Sequence, residues 1–149
     1  MDFLDFQILF RPFLAAILGA IIGLEREVKG KEAGLRTYSL VCLGACVFTI
    51  LSFYSLRSLA GETGVELDPS RIIQAVAVGI GFIGAGAILH QKTFVKGLTT
   101  AAGLWVVAAI GVAVGMGLYL LASFSTLLSL LILAGLGALE EKFFPEEKS

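Results

Sequence analysis

The stretch from Gly97 to Leu139, GLTTAAGLWVVAAIGVAVGMGLYLLASFSTLLSLLILAGLGAL, decides the fold because its 43 residues carry no formal charge. Kept helical, it would extend about 64 Å, roughly twice the thickness of a bilayer's hydrocarbon core. The chain must therefore reverse inside this stretch. Gly115-Met116-Gly117 is the predicted turn, because glycine weakens a helix and frees the backbone to reverse. The stretch thus predicts two spanning helices, near residues 98–114 and 118–139.

The composition of the whole chain agrees with a membrane environment. Hydrophobic residues make up 57% of the 149 residues and charged residues only 15%, where about 25% charged is usual in soluble domains; the mean hydropathy is +0.92. Three more apolar stretches, near residues 7–24, 38–56 and 72–89, are long enough to span. We therefore predict an all-α membrane protein, a compact bundle of about five transmembrane helices in the lipid bilayer. Residues 1–139 would form this domain and residues 140–149 a charged cytoplasmic tail.

Two details of the topology follow from charged residues and proline. The first span starts at residue 7 or at Pro12, which can be the first residue of a helix because its missing N–H costs nothing there; residues 2–6 would then lie along the membrane interface. Lys and Arg prefer the cytoplasmic side. Five spans place eight of the eleven on one side, so we predict an outside N-terminus and a cytoplasmic C-terminus.

Glycine is the compositional outlier, with 18 residues, and small residues allow close helix packing in lipid. The third span is richest in Gly and Ala and is predicted to be the packed centre of the bundle. Its Gly84-Ala85-Gly86 could instead break the helix and expose carbonyls to an ion. The glycines serve either packing within one chain or a homodimer face. The predicted packing glycines are Gly19, Gly23, Gly79, Gly81, Gly84, Gly86, Gly111 and Gly115.

The first cytoplasmic connection carries a dense group of charges. Glu25 and Lys29, and Glu27 and Lys31, have the favourable i,i+4 order of a helix end, and Gly30 is a predicted helix stop. These charges are either a solvated helix end or, at Glu25 and Arg26, a desolvated pair against Arg36 or Thr37 of the next helix. A desolvated pair at the membrane edge would be functional.

On the opposite side, Asp68-Pro69-Ser70-Arg71 opens the third span. Asp68 is either a helix N-cap or, with Glu62 or Glu66, a carboxylate ligand for a hard cation such as Mg2+. Arg71 opposes the second interpretation, since it is already a cation there. Thr99 and Thr100 begin the fourth span and can hydrogen-bond across helices.

Several classes of function find no support in the sequence. The net charge of −1 provides no basic surface for nucleic acid. No nucleophile has an adjacent base, no phosphate-binding loop is present, and His90 is the only histidine. Gly79-x-Gly81-x-x-Gly84 matches a dinucleotide fingerprint in letters only, because that motif needs a preceding strand. We therefore expect no enzymatic activity and no certain cofactor.

Five motifs follow one another along the chain: GAIIGLER from Gly19, AGLRTYSL from Ala33, DPSR from Asp68, GIGFIGAG from Gly79 and GLTTAAGLW from Gly97. In this order they resemble the MgtC/SapB family of bacterial membrane proteins. Thr99 and Val106 replace an Asn and a Cys of the family's virulence-associated branch, so the chain is closer to the SapB-like form with a transmembrane domain only.

The resemblance implies an inner-membrane protein linked to magnesium homeostasis. The first hypothesis is a non-enzymatic protein, a homodimer, that binds a cation or regulates another membrane protein. The second is an ion transporter or channel formed by the glycine-rich bundle as an oligomer, with Thr99 and Thr100 facing the path. Matching motif positions mark as functional candidates Glu25, Arg26, Arg36, Thr37, Asp68, Arg71, Thr99 and Thr100.

Overall fold

The computed structural model describes residues 3–59, 68, 70–90 and 95–143. Four helices are α1 (Phe3–Val28), α2 (Leu35–Leu59), α3 (Ser70–Ala87) and α4 (Leu98–Gly115). The fifth span contains α5 (Tyr119–Leu130), a π-helical turn (Leu131–Leu136) and α6 (Gly137–Phe143). Five helical segments are long and apolar enough to cross a membrane, so the predicted five-span, all-α fold is confirmed.

Two left-handed glycines end helices as the sequence predicts. At Gly117 (φ 83°) the Leu118 N–H bonds to the Ala113 carbonyl at 2.8 Å, which closes α4 and starts the turn into α5. Gly30 (φ 60°) ends α1 in the same way, with the Lys31 N–H on the Arg26 carbonyl at 3.0 Å. Both arrangements satisfy carbonyls that a helix end leaves without partners.

The alternative that Pro12 is the first residue of the first helix is wrong. Helix α1 is continuous from Phe3, and Pro12 lies inside it. Likewise, α3 runs unbroken through Gly84, Ala85 and Gly86 to Ala87, so the alternative of a broken helix there is wrong. A short antiparallel pairing of β1 (Leu89–His90) with β2 (Val95–Lys96) connects α3 to α4.

The core of the bundle lies around α4, and the prediction that the third span is the packed centre is wrong. Eleven of the residues of α4 are buried, against Ile80 and Gly84 in α3. The spacing of the glycines explains the difference. In α4, Gly103, Gly111 and Gly115 are eight and four residues apart, so they share one helix face. The glycines of α3 are two or three residues apart, so they are spread around the helix.

Close contacts show where glycine is required within one chain. A Cβ added to Gly111 would lie 2.2 Å from the Cys42 carbonyl oxygen, and one at Gly115 2.8 Å from that of Cys46. Gly19 and Gly23 of α1 meet α2 as closely, at 2.6 and 2.8 Å. In α3, Gly84 has ordinary contact with Ala101 at 3.5 Å, and nothing lies within 4 Å of a Cβ added to Gly79, Gly81 or Gly86.

Candidate functional site at the Arg26 end of the bundle

Arg26 carries a charge and yet is buried, with 2% of its surface exposed. A charge removed from water is costly unless it is paired and hydrogen-bonded. The Arg26 guanidinium donates to both carboxylate oxygens of Glu25, from Nε to Oε2 and from Nη2 to Oε1 at 2.7 Å. A bidentate pair of this kind is among the stronger polar interactions in proteins.

The same guanidinium also binds the backbone of the fifth span. Arg26 Nη2 and Lys29 Nζ each lie 3.3 Å from the Leu133 carbonyl oxygen, and Lys29 Nζ lies 3.1 Å from Glu25 Oε1. In an α-helix the Leu133 carbonyl would accept from the Gly137 N–H. Residues 131–136 instead form a π-helical turn, and the Gly137 N–H that follows it donates to the Ala134 carbonyl. The Leu133 carbonyl, inside this irregular turn, accepts from the cations of α1.

A second polar group at this end joins the connection after α1 to the start of α4. The Thr100 hydroxyl donates to Glu32 Oε2 at 3.0 Å, and the buried Tyr38 hydroxyl donates to the Thr100 carbonyl at 3.2 Å. A Cβ at Gly103 would lie 2.3 Å from the Tyr38 hydroxyl oxygen. Gly103 thus makes the space that Tyr38 needs.

The polar group around Arg26 and the polar group around Thr100 interact electrostatically. The charges of Glu25, Arg26 and Glu32 all act on Tyr38. The pKa of the Glu32 carboxyl is lowered, first by a hydrogen bond from its own backbone and then by the Thr100 hydroxyl. We call this set, with Lys29 and the Leu133 carbonyl, the Arg26 cluster. The negative charges of its two carboxylates, Glu25 and Glu32, balance the positive charges of Arg26 and Lys29. The cluster links α1 to the fifth span and α2 to α4.

The other candidates at this end lie outside the cluster. Arg36 and Thr99 are exposed and Thr37 is partly buried. The Glu25–Arg26 pair hydrogen-bonds to the Leu133 carbonyl of the fifth span, and among the described residues no hydrogen bond joins it to Arg36 or Thr37. The predicted Glu25–Lys29 ion pair is confirmed. Glu27 accepts a hydrogen bond from the Leu35 N–H at 3.0 Å instead of pairing with Lys31.

Asp68 and Arg71 lie at the opposite end, where α3 begins. Asp68 Oδ1 accepts from the Ser70 N–H at 2.9 Å and from the Ser70 hydroxyl at 2.6 Å, as a helix cap does. The Ser70 hydroxyl is the main cause of a lowered pKa of the Asp68 carboxyl. Glu62 and Glu66 lie outside the described residues, and the described ones contain no group of three or more His, Cys, Asp or Glu suited to a metal. The Mg2+ site at Asp68 stays a prediction.

Sequence reasoning missed the partners of Arg11 and Tyr38, and the contact of Lys29 with the Leu133 carbonyl. Arg11 Nη1 donates to the Gly115 carbonyl at 2.9 Å and its Nε to the Tyr119 hydroxyl at 3.1 Å, so it caps the end of α4. One signal was available in the sequence. An arginine inside an apolar helix needs a buried acceptor, and the predicted turn at residues 115–117 offers unpaired carbonyls at the same end of the bundle.

Comparison with known proteins identifies the family of the chain. The family model described as the MgtC family matches residues 13–142. The chain is 46% identical to "Putative magnesium transporter YhiD" of Escherichia coli K12, covering 85% of this chain and 59% of that protein. It is 42% identical to Protein MgtC of Salmonella typhimurium LT2, covering 76% and 46% of the two chains.

A third relative is Protein SapB of Bacillus subtilis, which is 38% identical over 87% of this chain and 56% of its own length. The chain therefore spans about half the length of these curated relatives. No solved structure matches it. The family model covers nearly all of the five-helix bundle that holds the Arg26 cluster, and on this evidence the chain belongs to the MgtC family.

Proposed function

We propose that this chain is a non-enzymatic membrane protein linked to magnesium homeostasis, and that it regulates another membrane protein through the Arg26 cluster. The names of its relatives support the link to magnesium. The predicted residues Glu25, Arg26 and Thr100 contribute to one polar cluster, which supports a shared role for them.

The buried Arg26 side chain carries this proposal. Ionisable residues in membrane-spanning helices are rare, and they usually serve function. Arg26 hydrogen-bonds α1 to a carbonyl inside a π-helical turn of the fifth span, and such turns occur frequently at functional sites. Because Glu25 already contacts two cations, it is poorly placed to hold Mg2+ as well. The geometry therefore favours a switchable contact between helices over direct cation binding.

The experiment is complementation of a strain that lacks this protein, grown at low magnesium. Glu25→Ala and Arg26→Gln each break the bidentate pair, and we expect both to abolish growth rescue while the protein still inserts. Lys31→Gln is the matched control, because it removes from the same connection an exposed charge that acts on the cluster only through its electrostatic effect at Glu32.

Membrane abundance and thermal melting of every variant separate loss of function from loss of folding. Full rescue by both Glu25→Ala and Arg26→Gln would overturn the proposal. Failure of the Lys31→Gln control would mean that the overall charge of the connection matters rather than the cluster.

A second candidate function is ion transport by an oligomer, favoured by the printed name of the E. coli relative. This function predicts that Mg2+ enters liposomes that contain only this protein. The flux should be lost in Gly84→Leu, because Gly84 lies where α3 contacts α4. Gly81→Leu is the control, since nothing lies within 4 Å of a Cβ there. Absence of flux from reconstituted, folded wild-type protein would remove this candidate.

The arrangement in the cell is part of the same proposal. We place the protein in the bacterial inner membrane as a homodimer, with its N-terminus outside and the Arg26 cluster at the cytoplasmic end. The excess of Lys and Arg at that end supports the orientation. Gly135, exposed on the fifth span with nothing within 4 Å of an added Cβ, supports close approach of a second copy.

A further inference from the structure

An apolar groove lies between α2 and α3, with α4 as its floor. Its volume is about 490 Å³, and all twelve residues that line it are apolar. Two of them, Gly44 and Gly79, have no atom within 4 Å of an added Cβ, so the groove is open at these positions. Its walls include Leu40, Gly44 and Phe48 of α2, and Gly79 and Ile83 of α3.

Arg36 extends one wall of this groove toward the end of the bundle. Arg36, Leu40, Gly44 and Phe48 follow at intervals of four residues and so lie along one face of α2. Arg36 is exposed, and among the residues that the structure describes it has no hydrogen-bond or ion-pair partner. An unpaired cation therefore sits at the head of an apolar groove.

The length of this arrangement matches one leaflet of a membrane. From Arg36 to Phe48 the helix rises about 18 Å, and half of the hydrocarbon core is about 15 Å thick. An acyl chain in the groove would thus reach toward the midplane while its headgroup stayed beside Arg36.

We infer that this groove binds one acyl chain of an anionic phospholipid, whose phosphate pairs with Arg36. The lining offers no polar group to a polar ligand, and the charge of Arg36 selects an anionic headgroup over a neutral one. An arginine guanidinium matches the geometry of phosphate oxygens.

A second copy of the chain fits the groove less well. Both copies share one orientation in the membrane, so a two-fold axis would run along the membrane normal and bring the same patch of each copy together. The two Arg36 side chains would then meet at the same depth, and like charges repel. A phospholipid phosphate has the opposite sign and avoids this cost.

The test is native mass spectrometry of the full chain in detergent, with added phosphatidylglycerol or phosphatidylcholine. Wild type should retain phosphatidylglycerol preferentially, with one lipid per chain. Arg36→Gln should reduce this preference about fivefold, as expected for one cation near a lipid headgroup. Gly44→Leu should fill the groove and lose both lipids, whereas Gly81→Leu, outside the groove, should retain phosphatidylglycerol as wild type does.

Unchanged retention in Gly44→Leu would overturn the site, and equal retention of the two lipids by wild type would overturn the role of Arg36. Phe48→Cys provides a second measurement, because the native Cys42 and Cys46 are fully buried. Efficient disulfide-linked dimers through position 48 in membranes would identify a second copy as the occupant and overturn the lipid. Melting temperatures show that each variant is folded.

Discussion

Helices α3 and α4 have the same length of 18 residues, and both are rich in glycine, yet they occupy opposite environments. Helix α4 is the core of the bundle. Helix α3 has two buried residues and presents most of its surface outward. The comparison teaches that the number of small residues does not decide burial in a membrane protein.

What decides it is whether the small residues form one row opposite a matching row. The glycines of α4 meet Tyr38, Cys42, Cys46 and Thr49 along one face of α2. In lipid, such close contact replaces the hydrophobic drive that is missing between helices. The glycines of α3 form no such row, so α3 keeps a looser contact and leaves a groove beside α2.

The largest effect should come from a side chain added to the α4 row. Gly111→Val places Cβ 2.2 Å from the Cys42 carbonyl oxygen, and the backbone of a neighbouring helix cannot move away cheaply. We expect a loss of about 3 kcal/mol in the free energy of unfolding, measured by SDS-induced unfolding in mixed micelles. Gly81→Val in α3 should change it by less than about 0.5 kcal/mol. Equal losses for the two would remove the distinction between the helices.

An intermediate effect is expected at Gly103, where the contact is a side chain. Gly103→Ala should cost about 2 kcal/mol because Cβ meets the Tyr38 hydroxyl. Tyr38→Phe should cost about 1 kcal/mol for the lost hydrogen bond to Thr100.

The double variant tests the cause. Phe lacks the hydroxyl oxygen that obstructs a methyl group at position 103, so Gly103→Ala with Tyr38→Phe should be about as stable as Tyr38→Phe alone. Strictly additive losses would show that Gly103 matters for another reason, since additivity indicates independent sites.

The sequence was sufficient for the five spans and for the turns at Gly30 and Gly117, because these depend on local hydropathy and on backbone freedom. It was insufficient for the helix packing, because glycine-rich α3 and α4 look alike until their partners are known. The same holds for Arg26, whose charge predicted a desolvated pair with Glu25. Its second partner, the Leu133 carbonyl, lies 107 residues away in a π-helical turn, for which the sequence carries no signal.

The smallest expected effect is a difference in pH dependence between the first turn of α3 and the first turn of α4. Glu32 binds Thr100 at the start of α4, and Asp68 caps α3. Folding lowers the pKa of the Glu32 carboxyl below its ordinary 4.5, so its contribution to stability is fully present above about pH 4.5 and is lost as the pH falls through the lower, folded value. Because Glu32 is exposed, the change should be below about 0.5 kcal/mol. The hydrogen-exchange protection factor of α4's first turn, taken relative to the intrinsic exchange rate at each pH, should therefore fall slightly in acid in wild type and not in Glu32→Gln. Asp68→Asn should affect only the first turn of α3. A fall in protection that persists in Glu32→Gln would show that another group holds the start of α4.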